Sequence, residues 1–331
     1  PVPTRGLLLG LFGATWLGLV VTAVASTPAR PEAVSAETLR RHTAFLGDDA
    51  LEGRAPGSAG AEKAARYIAA ELEGAGLRAP ERSGRWFQDV PLQGTRPAGG
   101  TRLGVTSACG ATTMKLGDDY LLFTGGVQTL IPRDVPLVFA GYGIVAPEFD
   151  HNDYRGLDVT GKVVVVLAGE PGSDDPDYFA GARPTVYATA EAKQRIALSR
   201  GARGSLIVPS ALTRHPPWAD LRREFSFEHL SLPYTVPRHL SAQVRHDAAK
   251  GLFCGAEWDL DAVHEMERGH TVRSFSLPAR VRFHGEFEQR DFFCRNVVGV
   301  LPGGERELRD THVVVSAHYD HLGIGPPADG D

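Results

Sequence analysis

Apolar positions across residues 35–46 recur at helical spacing behind Ser35, a side chain suited to capping a first turn, with Glu37 close behind it. That spacing predicts a first helix. Residues 48–60 are rich in turn formers, and over 61–77 Ala64, Ala65, Ile68, Ala69 and Leu72 then share one face before Gly74 and Gly76 end the pattern. A second, amphipathic helix follows from this. Beyond it the period shortens: residues 86–92 and 101–106 alternate as strands do, ahead of a looser stretch to about 132. From 135 to about 287 short β-rich runs dominate, including 136–140 and 162–167, with one helical stretch over 189–200 that leads to Gly201. This block reads as a small domain of its own.

Two more apolar runs, 296–301 and 312–317, are separated by a Pro-Gly-Gly turn and a charged link. In the second, Val313, Val314 and Val315 are consecutive rather than alternating, which suits a strand covered on both faces by helices. The predicted fold class is therefore α/β. There is no internal repeat and no low-complexity tract.

Composition sets limits around this picture. A chain of 331 residues with 42% apolar and 23% charged content has room for two domains. Its formal charge of -5 is spread without long single-sign runs, so no nucleic-acid partner is expected. Arg5 precedes an apolar run over 7–24, and Ala23, Val24 and Ala25 form an A-x-A cleavage pattern before Ser26. We read 1–25 as a secretory signal peptide and 26–34 as a linker. The product is then secreted or periplasmic, with no stable membrane partner; an uncleaved segment would instead anchor the chain as a membrane helix. Pro1 and the turn-like close at Asp329, Gly330 and Asp331 read as a chain cut at both ends. Cys109, Cys254 and Cys294 allow at most one disulfide, and spacing does not say which.

The main chemical signal is Ser316-Ala317-His318-Tyr319-Asp320-His321-Leu322-Gly323, at the end of the predicted 312–317 strand. Ligand sites in α/β sheets gather beyond the carboxyl ends of strands. In extended chain His318 and Asp320 point to one side, so the carboxylate can hold the imidazole in the tautomer a metal needs. Taken alone, an H-x-D tripeptide more often marks a plain hydrogen-bonded pair near a strand end.

This segment resembles the S-x-H-Y-D-H-L-G stretch of the M28 family of zinc metallopeptidases, and four other segments resemble the same family in the same order. Residues 49–57, with Leu51-Glu52-Gly53-Arg54-Ala55-Pro56-Gly57, are similar to its L-E-G-R-x-P-G turn, continued by Gly60 and 64–68. Residues 142–147, Asp153, Tyr154 and 158–165 resemble the protease-associated domain that many members carry as an insertion, and 201–208 resembles its G-A-x-G-x-x-x-V strand entry. Residues 296–302 resemble the N-V-V-G strand by which the chain re-enters the peptidase sheet.

The resemblance implies a phosphorylase/hydrolase-like zinc exopeptidase sheet with helices on both faces, interrupted by a β-rich domain. Its parts would be an N-terminal peptidase segment over 35–132, a protease-associated insertion over 133–288, and a return to the peptidase domain over 289–331. It implies a zinc aminopeptidase acting on peptide or protein substrates with two zinc ions. His318 would be a metal ligand and Asp320 the catalytic-site residue that orients it. The other ligands and the glutamate base would lie beyond Asp331, leaving this chain inactive by itself. A non-catalytic receptor-like protein, or an enzyme for acidic dipeptides or N-terminal glutamine, fits the same resemblance.

Other patterns are set aside. His264-Glu265 with His270 has the second histidine six residues on rather than the four that a zinc-binding helix face requires. Gly57-Ser58-Ala59-Gly60 lacks the leading glycine and preceding strand of a nucleophile elbow, and Gly303-Gly304 is a turn without the lysine of a phosphate loop. Glu52 and Arg54, charged within a turn, suit an ion pair or backbone hydrogen bonds.

Overall fold

The computed structural model describes residues 34–124, 129–181, 183–233, 239–308, 311–325 and 327. The signal peptide expected over 1–25, nearly all of the linker and the close at Asp329 to Asp331 lie outside the described residues. No helix among the described residues is long and apolar enough to cross a membrane. Helix α1 (Ala36–Leu46) belongs to a unit of its own, apart from Gly47–Asp331, and the Ser35 hydroxyl accepts the Thr38 N–H at 3.0 Å as a cap should.

In the larger unit α2 (Ala59–Gly74) starts at Ser58, whose hydroxyl accepts the Ala61 N–H at 3.1 Å. Its small face, Ala61, Ala64, Ala65 and Ala69, is buried. The chain then runs out along β1 (Phe87–Pro97) into β2 (Arg102–Ser107), β3 (Gly110–Met114), β4 (Tyr120–Thr124) and β5 (Leu130–Phe139). A small pair, β6 (Val145–Ala146) and β7 (His151–Asn152), precedes β8 (Val163–Leu167), α3 (Ala190–Ser199) and β9 (Gly204–Val208). Next come α4 (Trp218–Glu224), β10 (His229–Ser231), β11 (Leu240–Val244), α5 (His246–Ala249), α6 (Leu260–Arg268), β12 (Phe275–His284) and β13 (Phe287–Val297).

Eight of these strands form one sheet in the order β3-β2-β12-β5-β8-β9-β11-β4, with β5, β8, β9 and β11 parallel and the remaining pairs antiparallel. Strand β8 is four valines and a leucine, buried throughout, because both faces of the sheet are covered. On one face Phe139, Val165 and Leu206 pack with Phe253, Leu260 and Val263; on the other Val164, Val166 and Ile207 meet Ala197 of α3. Each such side chain contributes about 1.5–3 kcal/mol on leaving water. Strand β12 alternates buried and exposed positions, which is the sign of a half-wet sheet face. A disulfide joins Cys109 to Cys254 inside this body, leaving Cys294 as the free thiol.

Strands β1 and β13 form an antiparallel ribbon from Phe87 opposite Val297 to Pro97 opposite Phe287, with β10 on its other edge. Its far end is tied where Ala98 N–H donates to the Glu286 carbonyl (2.7 Å), the Thr101 hydroxyl donates to the same oxygen (2.7 Å) and Glu286 N–H donates to Thr101 Oγ1 (3.1 Å). Everything between these residues leaves and returns through the ribbon. The boundary expected at 132/133 falls inside β5 of this sheet. Short alternating runs look alike on either side of it, and only pairing assigns β2 to β4 to this body.

A second departure concerns the end of the chain. Residues 312–317 form no strand, and Val313, Val314 and Val315 are 95%, 84% and 92% exposed. A run of three valines is buried only where strands flank it and layers cover both faces, and the described residues place neither around this segment. The 296–301 run is also shortened: β13 ends at Val297, and Val300 makes a single bridge to Arg78.

Candidate functional site

The site is built on the turn that precedes α2. Asp48 caps a 3-10 turn, Asp49–Arg54, by accepting the Ala50 N–H at 2.9 Å, and Leu51 fills the space beneath it. Glu52, Gly53 and Arg54 then adopt φ of 50°, 63° and 51°. Two consecutive-in-space left-handed side chains cost about 1–2 kcal/mol each, so something must hold them there. What holds them is the segment carrying His318.

Arg54 Nε donates to the Tyr319 carbonyl at 2.7 Å, His321 N–H donates to the Arg54 carbonyl at 3.1 Å, and Gly323 N–H donates to the Gly53 carbonyl at 3.1 Å. The left-handed run turns these carbonyls outward to meet residues 319–323. Gly53 is required twice over: its φ is positive, and a Cβ there would lie 2.7 Å from the Gly323 carbonyl oxygen. Arg54 thus takes the backbone hydrogen-bonding role that its place in the turn suggested.

Tyr319 is the second anchor. Its hydroxyl donates to the Arg295 carbonyl at 2.6 Å, and burial raises its pKa, with Cys294, Glu62 and Asp320 adding to the effect. Burial also raises the Cys294 thiol, and Asp320 adds to that. The Arg295 guanidinium reaches Glu62 in the first turn of α2 (2.7 Å) and Asp89 on β1 (3.2 Å). One residue of β13 therefore ties helix, ribbon and site segment together. Sequence reasoning assigned no role to Tyr319, His321 or Arg295; a tyrosine inside an otherwise polar H-Y-D-H run was the available signal for the first.

His318 itself is open, with its side chain 83% exposed and that of Asp320 48%. The ring Nδ1 lies 3.0 Å from the Asp320 main-chain carbonyl and 3.7 Å from its carboxylate. A proton on Nδ1 directed at that carbonyl leaves Nε2 as the free lone pair, the tautomer suited to a metal. The main-chain oxygen is the nearer orienting group, with the carboxylate behind it.

A catalytic zinc takes about three protein ligands and keeps an open position. Among the described residues there is no group of three or more His, Cys, Asp or Glu side chains able to hold a metal ion. His318 and Asp320 alone do not complete such a site, and no reaction step is derived through one. His264 and Glu265 lie on α6, engaged with the Pro209 carbonyl (2.9 Å) and Arg268 (2.6 Å), while His270 lies past the helix end with a φ of 54°.

Neither known protein families nor curated proteins match the sequence. Among solved structures the chain is similar to an aminopeptidase from Aneurinibacillus sp. strain AM-1, at 16% identity and a TM-score of 0.39, covering 82% of this chain and 50% of that one. It is also similar to BSAP, a zinc aminopeptidase from Bacillus subtilis, at 15% identity and a TM-score of 0.29, covering 79% of this chain and 47% of that one. The chain thus spans about half the length of these neighbours.

Proposed function

We propose that this chain is part of a zinc-dependent exopeptidase of the M28 type, an aminopeptidase that hydrolyses N-terminal peptide bonds. The observation that carries this reading is the joining of its two most family-like segments. Residues 49–57 and 316–323 are more than 250 positions apart, and Arg54 Nε on the Tyr319 carbonyl clamps them together. A strained left-handed turn maintained for a single contact partner is the kind of feature that clusters at functional sites. In this reading His318 would be a zinc ligand through Nε2 with Asp320 beside it, and zinc, when bound, would supply a Lewis acid and a water of lowered pKa. The residues from about 101 to 286 are then the inserted protease-associated domain. The Cys109–Cys254 disulfide supports an oxidising, extracytoplasmic setting for the product.

The test is hydrolysis of aminoacyl p-nitroanilides by the natural full-length protein. Chelation should abolish turnover and zinc should restore it. Asp320→Asn, which keeps the nearer main-chain carbonyl, should lower zinc affinity or turnover by no more than about tenfold, and His318→Ala should lower them further. Hydrolysis indifferent to chelator and to His318→Ala would overturn the reading.

A further inference from the structure

The hairpin of β2 and β3 turns on two residues, because Ser107 already pairs with Gly110 and only Ala108 and Cys109 remain between them. Gly110 closes the turn with a φ of 108°, and the Ser107 hydroxyl accepts the Cys109 N–H at 3.4 Å. A tip this short leaves Cys109 exposed. Its partner Cys254 follows Phe253, a core residue that packs edge-on against Phe139 with ring centres 5.5 Å apart. Gly255 comes next with a φ of 80°, and a Cβ on it would lie 2.5 Å from that of Ala108. The glycine is what lets the hairpin tip come down onto this loop. The bridge therefore joins an exposed cysteine to a half-buried one.

Both cysteines line a cavity of about 520 Å³, whose other walls include Phe253, Trp258 and Ala262. Those walls stand on fixed elements. Trp258 makes an edge-on contact with Phe275 of β12 at 5.1 Å, and Asp259 caps α6 by accepting the Ala262 N–H at 2.8 Å. The volume is within the range of small-molecule sites, about 300–1,000 Å³. Each end of the bridge is also held without it: β2 pairs with β12 from Arg102 opposite His284 to Thr106 opposite Arg280, and Leu252, Phe253 and Leu260 belong to the core. Opening the S–S bond thus leaves hairpin and loop in place. A disulfide exposed in this way is of the labile, exchangeable kind, since a thiolate reaches it in the native state.

We propose that Cys109 is an S-thiolation site, at which a low-molecular-weight thiol enters this cavity, opens the Cys109–Cys254 bridge and is held as a mixed disulfide. The incoming thiolate attacks Cys109 Sγ, the more accessible sulfur. The bond to Cys254 breaks as the bond to the thiol forms, and Cys254 leaves as a thiolate that takes up the proton the thiol gave up. One disulfide replaces another, so no outside oxidant or reductant is consumed. Cys254 reverses the step by attacking Cys109 again and releasing the small thiol, so the extent of modification follows the thiol concentration. The inference is independent of the peptidase reading.

The experiment holds the natural full-length protein with reduced glutathione in the absence of denaturant, quenches with acid, and maps the peptides. Glutathione should be found on Cys109, with Cys254 as the free thiol. The rate of opening by dithiothreitol should stay constant as urea is raised to the start of the unfolding transition. Ala262→Phe, which fills the cavity from α6, should slow opening about tenfold by restricting access. Glutathione on Cys254 instead, an opening rate that climbs with urea in step with global unfolding, or a wild-type rate in Ala262→Phe would each overturn the proposal.

Discussion

Lys193 carries its amine into the body of the eight-stranded sheet, where it is 1% exposed and reaches the Tyr142 carbonyl at 2.5 Å. Tyr142 in turn donates its hydroxyl to buried Glu267 (2.9 Å), which also accepts from the Ser210 hydroxyl and the Ala211 N–H (2.6 Å). Burial lowers the Lys193 pKa from 10.5 to about 7, with Asp153 and Glu170 pulling the other way. Between those values the unfolded chain holds a proton that the folded chain lacks, so stability rises with pH from about 7 toward 10.5 and is lowest below 7. Urea unfolding of the wild type at pH 7 and pH 9 should differ by about 1–2 kcal/mol in favour of pH 9. Lys193→Met should remove that difference; an unchanged slope in the variant would assign it to other groups. None of this was legible beforehand, because a lysine at 193 within a helical stretch reads as a solvated side chain, and only the register of α3 turns it inward. Arg54 was legible as a backbone clamp, since a charge in a tight turn has few other uses. The left-handed run around it was not, because Glu52 and Arg54 are poor candidates for positive φ.

Elements were most legible where one physical demand dominates. The valine run of β8, the cap at Ser35, and the helix α3 ending near Gly201 all follow from local chemistry. The run at 312–317 shows the limit of that logic. Its composition says buried strand, yet burial is supplied by neighbours, and the described neighbours leave Val314 84% exposed. Val314→Asp should therefore leave the stability of this chain within about 0.5 kcal/mol of wild type, as surface substitutions do. A loss of several kcal/mol in thermal or urea unfolding would mean that the run is packed.

At the scale of the whole molecule, pairing partners that are far apart in sequence leave no local mark. Cys109 and Cys254, 145 residues apart, are such a pair, and spacing left their pairing open. Closing a loop of that length stabilises by about 2–4 kcal/mol through the unfolded chain. Reduction should lower the unfolding midpoint accordingly, while Cys109→Ser with Cys254→Ser should be insensitive to reductant; equal midpoints before and after reduction of the wild type would show the bridge absent.

The ribbon of β1 and β13 also decides how the molecule bears a load. Tension applied from the two sides of the ribbon acts first on the Arg78–Val300 bridge and then on Phe87 and Val297, which are opposite each other at its open end. Such a pull parts the rungs in succession, like a zip, instead of shearing all of them at once. The ribbon should give way at low force, from Phe87 toward Pro97, before the closed end at Thr101 and Glu286 passes any strain to the sheet beyond. It works as a mechanical fuse for the body it supports.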